Sequence, residues 1–68
     1  MNFKNLKIAI TPEQPLDEVV RELNRLGFMQ EFYAENPRSI ETYSDGTFDC
    51  YCFNQDADTT LTELKEME

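Results

Sequence analysis

The chain predicts an α+β domain of two layers, with the element order β-α-β-β-β-α. The sheet is expected to be antiparallel, with three to four strands and both helices on one face. Three observations predict this. Leu16, Val19, Val20, Leu23 and Leu26 fall at helical spacing and make one apolar stripe. The runs before and after that stripe alternate at period two instead. Ser44-Asp45-Gly46 then separates two alternating runs, as a hairpin turn does. With 68 residues, one small domain spanning 1–68 is expected. A chain of this size buries only about 60% of its unfolded surface. Its expected stability is roughly 3–5 kcal/mol. An apolar content of 40%, with five Phe and three Tyr, supplies one core and argues against disorder.

The elements follow in order. Asn5 to Thr11 reads as a strand, because Leu6, Ile8 and Ile10 alternate with Asn5, Lys7 and Ala9, and Pro12 stops it. The helix is placed at about Pro15 to Leu26. Thr11-Pro12-Glu13-Gln14 resembles a capping box, but Pro15 disfavours a helical Gln14, so the start lies near Pro15, after a separate turn at Thr11. Asp17 and Arg21 are spaced as a favourable ion pair on the solvent side. Gly27 suits the left-handed position after the helix, with Phe28 folding back on Leu23.

Met29 to Glu35 reads as the second strand. Phe28, Gln30, Phe32 and Ala34 share one parity, and Met29, Glu31, Tyr33 and Glu35 share the other. Asn36-Pro37 is a turn. Ile40–Tyr43 and Thr47–Phe53 then pair as a hairpin, for which two registers are available. A two-residue turn at Asp45-Gly46 would put Glu41 on the face of Phe48, Cys50 and Cys52. A three-residue loop with Gly46 in a bulge pairs Thr42 with Phe48 and Ile40 with Cys50. It gathers Ile40, Thr42, Phe48, Cys50 and Cys52 on one face. Burying a carboxylate is the costlier choice, so the three-residue loop is preferred. Asp56 or Asp58 is expected to cap a final helix through about Met67, with Ala57, Leu61, Leu64 and Met67 on its apolar edge. The helix–three strands–helix order resembles that of double-stranded RNA-binding domains in element order alone. The basic residues with which such domains contact phosphates are missing here, and the resemblance implies no function.

Catalytic chemistry finds little support. There is no His, so no Ser/His or Cys/His arrangement is available. Gly27 and Gly46 are the sole glycines, which rules out a phosphate-cradling loop. Cys50 and Cys52 are spaced i,i+2 on a strand, too far apart for good disulfide geometry and too few for a closed zinc site. They read as two small buried apolar groups. No catalytic residue, cofactor or metal is therefore expected, and the chain is not read as an enzyme. No stretch approaches the ~20 apolar residues that span a bilayer. Met1–Ile10 also lacks the apolar region of a secretory signal. A cytoplasmic protein without membrane contact is the expectation.

Charge is the strongest functional signal. Residues 39–68 carry eight acidic side chains and one basic, whereas residues 1–38 carry six and five. That sign argues against direct nucleic-acid binding, which depends on Lys and Arg. In the preferred register the solvent face of the sheet gathers Glu41, Tyr43, Asp49 and Tyr51. With Phe32 facing inward, the second strand adds Glu31, Tyr33 and Glu35. Glu41 lies opposite Asp49, a mildly destabilising placement for folding alone. Tyrosine is common in binding hot spots, and carboxylates steer basic partners. These seven residues are the expected partner-binding face of a small acidic adaptor or inhibitor. Its partner would be a basic protein surface, including that of a nucleic-acid-binding protein whose groove the carboxylates would occupy as nucleic-acid mimics. Small nuclease inhibitors, immunity proteins and phage-encoded inhibitors use the same physics. The alternative is a structural or homo-oligomerisation module, a homodimer with Tyr51 and Phe53 at its interface.

Overall fold

A computed structural model describes residues 3–67. The elements are β1 (Lys7–Ala9), α1 (Leu16–Arg25), β2 (Met29–Phe32), β3 (Ser39–Thr42), β4 (Thr47–Tyr51) and α2 (Leu61–Glu66). They form an α+β domain with one four-stranded sheet in the order β1-β3-β4-β2 and two helices in contact with each other.

The β3–β4 hairpin takes the register of the three-residue loop. Thr42 pairs with Phe48, Glu41 with Asp49, and Ile40 with Cys50. Gly46 has φ +89°, the left-handed conformation that this bulged loop requires. The Asp45 carboxylate accepts from the Thr47 amide at 3.0 Å and from its hydroxyl at 2.7 Å, closing the turn. β1 pairs antiparallel with β3, setting Ile8 beside Ile40.

The sheet is mixed rather than wholly antiparallel, because β2 runs parallel to β4. The cause lies at the end of α1. The Phe28 amide donates to the Leu23 carbonyl and the Gly27 amide to that of Asn24, both at 3.0 Å, with Gly27 at φ +100°. This is the expected Schellman turn. It delivers Met29 to the hairpin loop, where its amide donates to the Gly46 carbonyl at 2.8 Å. The strand thus begins beside the start of β4 and must run with it. Residues 33–38 then pass the end of β4 to reach β3, and the Arg38 amide donates to the Tyr51 carbonyl at 2.7 Å.

Ile8, Ile40, Phe48 and Cys50 are buried on one sheet face against Val19, Leu23 and Leu26 of the α1 region and Leu61 and Leu64 of α2. Cys52 lies past the end of β4 and is exposed, so just one of the two cysteines joins the core. Both thiols are free. Thr11 and Gln14 bond each other's backbone in a separate turn, and α1 starts after Pro15. Asp17 and Arg21 do not pair. The ion pair among the described residues is Glu22–Arg25 at 2.7 Å. Arg25 also donates to the Leu64 and Met67 carbonyls at 2.9 and 3.0 Å, closing the end of α2 from another helix.

The final helix is capped by neither Asp56 nor Asp58. Thr60 is its N-cap, in a reciprocal capping box with Glu63. Ala57 is exposed and lies before the helix. Among the described residues no helix is long and apolar enough to cross a membrane.

Candidate functional site

Strand alternation turns Glu41 and Tyr43 of the β3 side, with Asp49 and Tyr51 of β4, away from the helices. The register continues across the sheet as Lys7, Glu41, Asp49 and Phe32. Four of the seven expected site residues are therefore brought together. The Tyr43 and Tyr51 hydroxyls are hydrogen-bonded, and the Tyr51 hydroxyl donates to the Asp49 carboxylate at 3.4 Å. A hydroxyl carries one proton, so with Tyr51 donating to Asp49 the donor between the tyrosines is Tyr43. Desolvation, the bond to Tyr51 and the nearby Glu41 charge hold the Tyr43 phenol well above its ordinary range, which keeps it a donor.

Glu41 has a different role. Its carboxylate accepts from the Asn5 side-chain amide and from that of Gln55, each at 3.0 Å, and it faces Lys7 across the strand pair. Those two hydrogen bonds, Asn5 first, hold its carboxyl below the usual range. Gln55 belongs to a strap that crosses the outer face after β4. The Ser39 hydroxyl donates to the Phe53 carbonyl at 2.7 Å and meets the Gln55 side chain at 3.1 Å. The Phe53 ring packs on Tyr51 with centroids 5.0 Å apart. At the far side the Lys7 amide donates to the Asp58 carboxylate at 2.9 Å, and the Asp58 and Thr59 amides donate to the Lys7 carbonyl. That carboxylate is held low chiefly by the Lys7 amide. The strap covers the β1–β3 half of the face and lines the outer edge of β1. Ser39 is buried beneath it although it points away from the helices.

The β4–β2 half is open, and its composition differs from the expected one. Gln30 stays on the core face, where its side-chain amide approaches the Cys50 sulfur at 3.2 Å. The register then slips between Gln30 and Phe32, so that Phe32 pairs with Asp49. A bulge at Glu31 thus turns Phe32 outward, against its expected inward placement. Met29 and Phe32 are exposed on the outer face beside Thr47 and Asp49. Glu31 is exposed in the bulge. Tyr33 and Glu35 lie beyond the end of β2, so the three tyrosines do not share one cluster. Met29, Phe32, Asn5 and Gln55 join this face although they are not among the expected residues. Met29 and Phe32 are three apart, a spacing that reaches one strand face only across a bulge. Asn5 and Gln55 left no periodic signal.

No protein-family model, curated protein or solved structure matches this chain.

Proposed function

We propose that this protein is a small acidic protein-binding module, an adaptor or inhibitor that engages a basic protein surface such as that of a nucleic-acid-binding protein. One observation carries the reading. Three adjacent strands, β3, β4 and β2, contain no Lys or Arg, while they contribute Glu31, Glu41 and Asp49 and leave Met29 and Phe32 exposed. Such a surface steers cations inward and offers apolar area on arrival. Because the strap occupies the Glu41 carboxylate, the proposed contact centres on Asp49 and β2.

The test is biolayer interferometry against a panel of small basic proteins, some nucleic-acid-binding and some not, with an acidic control, across a salt series. A complex is expected with basic members only, weakening as salt rises. Asp49→Lys should slow association by about tenfold and leave dissociation nearly unchanged. Absence of any complex at low salt, or affinity indifferent to salt, would reject the reading.

A second reading, self-association, is favoured by the free outer edge of β2. The expected interface at Tyr51 needs correction in this light, because β4 is flanked by β3 and β2 and offers no edge for pairing. Sedimentation from micromolar to millimolar concentration decides it: a monomer throughout argues against self-association.

A further inference from the structure

We infer that the open patch formed by Met29 and Phe32, with Asp49 beside it, docks an arginine-bearing segment of a partner protein. This rests on the protein-binding reading above and names the chemistry that reading leaves open. The strap closes the β1–β3 half of the face, so contact with the sheet falls on β4 and β2. There Met29 is 72% exposed and Phe32 57%. Edge strands are commonly blunted by bulges and charge. This bulge has the further effect of turning an aromatic ring outward.

Charge selects the occupant. No Lys or Arg occurs from Leu26 to Pro37 or from Ser39 to Leu64. Asp49 makes just one long side-chain contact among the described residues, to Tyr51. A second copy paired through β2 about a two-fold axis at Glu31 would set Glu31 against Glu31, an arrangement of like charges. The complement is a cation. Among cations, the patch suits guanidinium over ammonium, because Phe32 and Asp49 are register partners on the open half of the face. A planar guanidinium stacks on a ring while it donates in a fork to a carboxylate; a lysine ammonium is a compact, strongly hydrated point charge. Met29 adds an adaptable thioether on the same outer face.

The experiment titrates the full chain with two fluorescent peptides of equal length and charge, one built on Arg and Gly, the other on Lys and Gly. The variants are Phe32→Leu, which keeps apolar area and loses the ring, and Phe32→Ser. Circular dichroism confirms that each folds. The Arg peptide should bind about five- to tenfold tighter than the Lys peptide, and both variants should erase that difference. Equal binding of the two peptides, or an Arg preference that survives in both variants, would overturn this inference and leave the electrostatic reading standing. Absence of binding by either peptide at low salt would overturn both. Self-association that the Ser variant abolishes would assign the patch to a second copy instead.

Discussion

Glu41 and Asp49 sit directly opposite each other with the same charge, yet their removal should have unequal consequences. Glu41 accepts two hydrogen bonds at 3.0 Å, from Asn5 and Gln55, and these tie the N-terminal segment and the strap to the sheet. A hydrogen bond to an ionised group contributes about 1.5–3 kcal/mol when desolvated. These are partly solvated, so roughly 1 kcal/mol each is the appropriate scale. Glu41→Ala should therefore cost about 1–2 kcal/mol, a large share of a stability near 3–5 kcal/mol. For a domain of this length that lowers Tm by about 5–15 °C. Asp49→Ala forfeits one contact at 3.4 Å and relieves the like-charge opposition, so its effect should stay within about 0.5 kcal/mol. The assay is thermal unfolding followed by far-ultraviolet circular dichroism at pH 7. The folded Glu41 carboxyl lies below its ordinary value of 4.5, so its contribution is present above that value and disappears as pH falls through the lower folded one. The gap between wild type and Glu41→Ala should accordingly close in acid. Melting points for the two Ala variants within about 2 °C of each other at pH 7 would refute the clasp.

Thr60→Ala removes the capping box and should cost about 1 kcal/mol, whereas Asp56→Ala should be neutral; equal losses in urea titrations would contradict the assigned cap. Cys52 should react with a maleimide in the native protein, whereas Cys50 should wait for unfolding, because burial shields it and raises its thiol. Mass spectrometry of a timed reaction reads the number of adducts, and two fast adducts would place Cys50 at the surface. Tyr43 is held above its ordinary value of 10, so beyond about that pH the unfolded chain loses a proton that the folded protein retains. Stability should fall as pH rises from there, and Tyr43→Phe should flatten the fall; an unchanged slope in Tm between pH 9 and 11 would count against the assignment.

The parts of the fold that local physics decides were legible in the chain. The α1 stripe, its Gly27 exit and the hairpin register all follow from side chains close in sequence, and the register follows from the cost of burying Glu41 beside Phe48. The parallel placement of β2 was not legible. It depends on the Gly27–Phe28 turn meeting Gly46, a contact between residues far apart in the chain. Nor was the strap, because residues 52–58 have no period and their hydrogen bonds reach Ser39, Glu41 and Lys7. Thr60-Leu61-Thr62-Glu63 did carry a capping-box pattern. Asp56 and Asp58 drew attention from it because Asp favours caps and loop hydrogen bonds for the same reason, a short acceptor near the backbone.

The same distinction relocates the charge that first suggested a partner. Residues 39–68 hold the acidic excess, but much of it is used internally. Asp45 closes the hairpin turn, Asp58 holds the Lys7 amide, Glu63 completes the capping box, and Glu41 clasps the strap. On the sheet face this leaves Asp49 as the carboxylate from that half with a single long contact. Glu31, exposed in the bulge of β2, comes from the half of the chain whose charges nearly balance. Net charge along the sequence therefore does not distinguish acids that hold the fold from acids whose hydrogen-bonding capacity is open. A carboxylate whose hydrogen bonds are filled contributes less as a docking group than one still open to a donor, because a partner must first displace the existing bonds. Under the proposed binding role the weight accordingly falls on Asp49, whose register partner Phe32 is exposed on the same face.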